Sequence, residues 1–295
     1  MTNDKDQASG LLRQLCALLD VERLEDNLFR GESRNIVGRR VFGGQVLGQA
    51  LVAAGRTVDA GRPVHSLHAY FLRAGDAGAP IIFQVERARD GGSFSSRRVV
   101  AIQHGRPIFN LSASFHVPEQ GHEHQLPAPE VPPADGLDSE WTLLRRHREL
   151  LTEPYRRLAD RPRPIDVRPV RPQHPLNPDR QDSHRDLWLR APAALPDDPL
   201  MHRALLAYAS DYHLLSTALL PHGRTIFQGR TQLASLDHAM WFHRPFRIDD
   251  WLLYHLETPT TAEARGFCRG SLFDAGGRHV ASVTQEGLMR PLDSD

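Results

Sequence analysis

Cysteine is scarce in this chain. There are two in 295 residues, Cys16 and Cys268, far apart and each among apolar neighbours. That excludes a disulfide framework and a thiolate metal site. Long apolar runs are missing: nothing approaches the roughly 18 consecutive apolar residues of a membrane span. An excess of one charge is missing too. With 36 basic and 36 acidic residues, neither nucleic acid nor an anionic membrane is favoured as a partner. There is no Walker A loop, no H-E-x-x-H, and no His-x-x-x-His on a helix among the 16 histidines, so no metal or cofactor is expected. A G-x-S-x-G elbow is absent, which disfavours an α/β-hydrolase. The first ten residues, MTNDKDQASG, are polar and acidic, unlike a signal peptide. The last four, LDSD, match no common peroxisomal or reticulum-retention signal. The expectation is a cytoplasmic protein without stable membrane association.

What is present is a near-repetition. Residues 66–73 read SLHAYFLR and residues 235–243 read SLDHAMWFH, so an offset of 170 lays His68-Ala69-Tyr70-Phe71 on His238-Ala239-Met240-Trp241. Each copy follows a helix rich in small residues and precedes three strand-like runs, so one α+β unit occurs twice. In the first unit, residues 42–56 read as a helix, followed by strands at 64–73, 80–89, 94–104 and 107–117. Residues 9–20 form a short amphipathic helix, and 28–41 read as irregular-to-strand. Asp90-Gly91-Gly92 and His104-Gly105 are hairpin signals. The second unit reads as a helix at 199–219 and strands at 231–243, 250–258, 264–274 and 278–289, with a turn at Ala275-Gly276-Gly277.

A buried helix needs small residues on its packing face, and sequential hairpins make the sheet antiparallel. The predicted class is therefore α+β, a tandem double hotdog, each unit a curled antiparallel sheet wrapped around a central helix. The units span 1–117 and 199–295. Between them, 118–198 is a proline-rich connector, read as ordered because Trp141, Tyr155 and Trp188 punctuate it. A helix at 139–160 and a strand around Leu187-Trp188-Leu189 are predicted inside it.

Two polar residues sit oddly in the second unit. Asp211 falls on one helical face with Ala204, Ala207, Leu214 and Ala218, where a carboxylate is costly unless paired. Its alternative reading is a side chain at the stripe's edge reaching solvent. Gln285 shares a strand face with Ala281, Val283, Gly287 and Met289, so its amide calls for a dedicated partner, catalytic or structural. Ser235 alone reads as an ordinary strand serine. Asp237 and His238 follow it, but adjacent strand residues point to opposite faces, which weakens a contiguous Ser-Asp-His reading. Gly43 and Gly44 open the first helix; they either hold an anion or water on backbone N–H groups or simply permit close packing.

Six segments resemble the bacterial and peroxisomal acyl-CoA thioesterase II family: RRVFGGQVLGQAL (39–51), VHSLHAYFLRAGD (64–76), RDGGSFSSRRVVAIQHGRPIF (89–109), SLDHAMWFHRPF (235–246), ARGFCRGSLF (264–273) and VASVTQEGLMR (280–290). The resemblance implies the double-hotdog fold and hydrolysis of acyl-CoA to free acid and CoA. It implies a water held by Asp211, Ser235 and Gln285, with serine standing where the family often has threonine. His65, in the VHS motif, ranks below those three, and Arg97 and Arg98 are candidates for CoA phosphates. Rival readings are a hotdog enoyl-CoA hydratase and a non-catalytic acyl-CoA-binding protein. Apolar Trp241, Phe242 and Phe246 lead to the expectation of a homodimer or higher homo-oligomer.

Overall fold

The computed structural model describes residues 2–34, 40–153, 155–160 and 163–292; part of the segment expected to be irregular-to-strand, 35–39, lies outside these. Helix α1 (Thr2–Leu19) leads into a small hairpin, β1 (Glu22–Glu25) and β2 (Leu28–Gly31). Helix α2 (Gly43–Gly55) follows, then β3 (Val64–Phe71), β4 (Ile81–Asp90), β5 (Phe94–Gln103) and β6 (Arg106–His116). The connector contains α3 (Glu140–Arg146), α4 (Tyr155–Asp160), β7 (Asp166–Pro169) and β8 (His184–Arg190). The second unit is α5 (Pro199–Ser210), β9 (Thr231–Ser235), β10 (Asp237–Phe242), β11 (Leu252–Ala262), β12 (Arg265–Asp274) and β13 (His279–Pro291).

The strands form one antiparallel sheet in the order β1-β2-β4-β5-β6-β3-β10-β13-β12-β11-β8-β7, with β9 also paired to β13. It wraps two central helices, the double hotdog that the hairpin pattern predicts. Helix α2 is buried from Gly44 through Ala54. It lies antiparallel to α5, with Gly44 level with Tyr208 and Gly48 level with Ala204. A Cβ on Gly44 would come within 2.3 Å of the Tyr208 carbonyl oxygen, so glycine there sets the approach of the helices. Phe29, Phe83, Phe109 and Phe115 are almost fully buried around this pair, each contributing about 1.5–3 kcal/mol of apolar burial.

The two units join where the repeated segments meet. β3 pairs with β10, Leu67 against Met240 and His68 against Ala239. The sequence offset of 170, however, is out of phase with the pleat. His68 is exposed and His238 is fully buried. A shift of one residue restores the phase, because side chains alternate between faces with period two. On that register the buried pair Leu67–Ala113 of the first unit corresponds to His238 and Gln285 of the second.

Two further expectations change. The helix read at 199–219 stops at Ser210; His213 adopts a left-handed φ of 61°, and a separate 3₁₀ segment runs over Leu215–His222. The connector's predicted long helix is two short ones. The connector does more than lie over the surface, since β7 and β8 extend the sheet along the edge of β11. Its aromatics tie it down: the Trp141 indole donates to the Ala159 carbonyl and the Trp188 indole to the Pro132 carbonyl.

Candidate active site

Helix α2 begins without a side-chain cap. Phe42 precedes it and offers no acceptor. The orphan N–H groups of a helix start need acceptors, and one comes from the far end of the other helix. The Gly44 amide donates to Asp211 Oδ2 at 2.9 Å. Asp211 is the residue that ends α5, so the positive end of one helix dipole faces a carboxylate at the end of the other. By contrast α5 carries its own cap, Asp198, which accepts from Leu200 and Met201. Asp211 therefore sits not midway along an apolar stripe but where the chain leaves the helix.

The second oxygen, Oδ1, accepts from Gln285 Nε2 at 2.9 Å. The residue keeps some exposed surface, yet its carboxyl is enclosed by protein. Burial raises its pKa above the usual aspartate value, and the bonds from Gln285 and Gly44 offset part of that rise. Such a carboxylate is a better proton acceptor than a solvated one. Gln285 is fully buried, and its amide also donates to His238 Nδ1 at 3.2 Å. With the amide nitrogen serving two acceptors, the carbonyl oxygen Oε1 is buried without a hydrogen-bond partner among the described residues.

Ser235 lies on the same face. It pairs with Gly287 across the β9–β13 ladder, two residues along from Gln285. A slip in register between β9 and β10 lets Ser235 and His238 share that face although they are three apart in sequence. No hydrogen bond of the Ser235 hydroxyl is formed among the described residues. Asp237 points the other way and accepts from the Glu286 amide at 2.6 Å.

His65, Arg97 and Arg98 lie elsewhere, whereas Gly43 and Gly44 border Asp211. His65 bonds Ser114 Oγ at 2.8 Å beside Phe94 and His116. It is six strand residues, roughly 20 Å, from Phe71, whose ring borders Gly43. Arg97 is not an exposed phosphate binder: it is 2% exposed, and its guanidinium bonds Thr57 Oγ1 and O, the Arg89 and Ser96 carbonyls, and Asp90. Arg98 is exposed and faces Glu86 at 3.7 Å. Gly43 has no room for a Cβ, which would lie 2.8 Å from Asp211 Oδ2. The Gly44 amide, being bound to Asp211, is not free for an oxyanion.

Two further residues complete the site: Ser210, which the sequence reading does not single out, and His238, which it sets aside with the contiguous Ser-Asp-His arrangement. Ser210 and His238 are both fully buried and bonded to each other at 3.0 Å. Burial holds the His238 imidazole down to about 3, so it is neutral. The signal was available: His238 shares its alternation with Met240 and Phe242, an apolar face. The connector also reaches the site. Arg163 lies over the Tyr212 ring, and Glu140 pairs with Arg163 at 2.8 Å and His213 at 3.1 Å. Burial works against Glu140's charge, but Arg163, then His213, hold its carboxyl down at about 2. These contacts clamp the two residues after Asp211. A cavity of about 300 Å³ nearby is lined by Arg171, Arg185, Arg224, Leu187 and Phe227 and by neither Asp211 nor Gln285.

Comparison with known proteins gives the chain's family. Residues 156–288 match a family described as acyl-CoA thioesterase, and residues 32–116 one described as acyl-CoA thioesterase N-terminal domain. Acyl-CoA thioesterase 2 of Haemophilus influenzae is 39% identical over 96% of this chain and 99% of its own. Human acyl-coenzyme A thioesterase 8 is 40% identical over 97% of this chain and 92% of its own. The crystal structure of an acyl-CoA thioesterase II from Mycobacterium marinum superposes with a TM-score of 0.77 at 45% identity, covering 95% of this chain and 99% of that one.

Proposed function

Because the chain belongs to the acyl-CoA thioesterase family, we propose that it hydrolyses acyl-CoA thioesters to free acid and CoA by direct attack of water, and that Asp211, Gln285 and Ser235 hold that water. The observation that carries the reading is the buried, unpartnered Oε1 of Gln285 beside an ionisable carboxylate. A water there donates one hydrogen to Gln285 and the other to Asp211. As its oxygen bonds the thioester carbon, Asp211 takes the proton. The tetrahedral intermediate then breaks its C–S bond, and the proton passes to the departing CoA sulfur. Positioning of this kind supplies much of a hydrolase's rate. No acyl-enzyme forms.

The side chains that act on water come from 199–295. The unit over 1–117 supplies the Gly44 amide, and the connector over 118–198 braces the loop behind Asp211. Arg98 is the arginine we assign to CoA phosphate, with Arg97 retained inside the fold. Two unpaired cysteines fit a reducing, cytoplasmic setting, and no helix among the described residues is long and apolar enough to cross a membrane. We also assign a homo-oligomer. Phe242 is buried and stacks on Phe246, so the support comes instead from Tyr70, 59% exposed at the centre of the sheet opposite Asp237. Light scattering giving a single-chain mass at micromolar concentration overturns that part.

The test of the reaction is parallel assay of thiol release from saturated acyl-CoAs and of absorbance loss from crotonyl-CoA. Thiol release supports hydrolysis. Loss of enoyl absorbance without thiol makes the protein a hydratase, and neither signal with retained binding makes it an acyl-CoA-binding protein.

A further inference from the structure

We propose that His238 and Ser210 are positioning residues that lock the Gln285 amide so that its carbonyl oxygen, not its nitrogen, faces the attacking water; the proposal rests on the thioesterase reading above. A glutamine amide is nearly symmetric in shape, and either end fits the same space. Its orientation must be imposed by neighbours of known polarity. Asp211 supplies one acceptor for the Gln285 nitrogen. His238 decides the matter only if its Nδ1 is a bare acceptor, and the chain of hydrogen bonds beyond it makes it so.

The chain starts at a group with one possible role. The Ala207 carbonyl accepts, and the Ser210 hydroxyl donates to it at 2.9 Å. Ser210 Oγ, having used its hydrogen, is the acceptor in its 3.0 Å contact with His238 Nε2. Nε2 therefore carries the imidazole proton, and Nδ1 offers a lone pair to the Gln285 amide at 3.2 Å. Both hydrogens of the Gln285 nitrogen are then placed, one on His238 and one on Asp211. Turning the amide over would set its oxygen against a lone pair and a carboxylate at once. The ring of contacts opens at Ser210 and closes at Asp211, adjacent residues, so the helix end that presents the base also anchors the group that orients its partner. Ser210, His238 and Gln285 are all fully buried, so every link of the chain is made within the protein.

The experiment combines a spectroscopic reading with kinetics. Histidine ring ¹⁵N shifts of the full-length protein at pH 7 are expected to show His238 protonated on Nε2 and bare on Nδ1; the opposite tautomer overturns the proposal. His238→Leu is expected to lower kcat about 10²-fold, as loss of a positioned donor or acceptor commonly does, with KM within about twofold. His238→Asn places an amide oxygen where Nδ1 stood and is expected to recover most of kcat, a rescue that a merely space-filling role would not give. Ser210→Ala frees the tautomer and is expected to lower kcat about tenfold. Should His238→Leu fail to fold, the tautomer reading and Ser210→Ala still decide. Full kcat in both His238→Leu and Ser210→Ala sinks the positioning role and leaves the thioesterase reading intact. A fully active Asp211→Asn with the tautomer as stated sinks the reaction reading instead.

Discussion

Leu67 and Ala113 face one another on β3 and β6, and His238 and Gln285 face one another on β10 and β13. These are the same place in two copies of one unit. In the first the pair is apolar and seals a helix against its sheet. In the second it is polar, and among the described residues each of its polar side-chain atoms but one has a partner. Duplication thus leaves one copy as pure packing and the other free to bury charge. The first copy still contributes, since the base is held by the Gly44 amide at the start of its helix. The glycine pair offers this from sequence, as backbone N–H groups able to hold an anion at the first helix's start; the anion held at Gly44 is the Asp211 carboxylate.

Changes at four positions break or sharpen that asymmetry, from the largest effect to the smallest. Asp211→Asn removes the base and should lower kcat by roughly 10²–10⁴-fold, measured by thiol release. It should also raise the melting temperature at neutral pH. Burial lifts the folded pKa of Asp211 above its unfolded value, so the folded state binds the proton more tightly and the ionised form costs stability as pH rises through that value. The gain should vanish below the unfolded pKa, where both states are protonated. By the same shift, the acid limb of kcat/KM should lie above the ordinary aspartate range.

Gly44→Ala attacks the first unit's share. Its Cβ would meet the Tyr208 carbonyl at 2.3 Å, so the helices must part, at about 1–3 kcal/mol or more. Denaturant midpoints should fall and kcat with them, whereas a merely local role for Gly44 would spare kcat. Ala113→Gln writes the second unit's residue into the first without its acid or histidine. The buried amide finds no acceptor, and stability should drop by about 1–3 kcal/mol with kcat unchanged. Ser235→Thr keeps the hydroxyl and should leave kcat within about twofold, while Ser235→Ala should lose roughly one hydrogen bond's worth, about tenfold.

Strands and turns were legible because alternation and glycine report directly on backbone geometry; every strand-like run of the two units appears within a few residues of its expected place. Gln285 was legible as a polar residue on an apolar face, whereas Asp211 was picked out on a helical face that in fact ends at Ser210. The end of α5 was not legible. No glycine or proline marks Ser210; the break is made by His213 in a left-handed conformation that Glu140 and Arg185 hold from the connector, and tertiary contacts of that kind leave no local trace. His238 was hidden by the offset of 170. Matching histidine to histidine aligned an exposed residue with a buried one. The slip at Leu236, which brings Ser235 onto the face of His238, depends on how β13 pairs, not on the residues themselves.

The pairing of β3 with β10 also sets a timetable. In the first unit β3 is the edge of its sheet, and its partner is made about 170 residues later. At about 5–20 residues per second, that edge stands bare for roughly 10–30 seconds on every nascent chain, presenting HSLHAYF with Tyr70 outward. Bare, aromatic edges recruit other strands. For this protein the interval between the two halves of a ribosome's work is therefore the period of greatest hazard, and the late arrival of Asp237–Phe242 is what ends it.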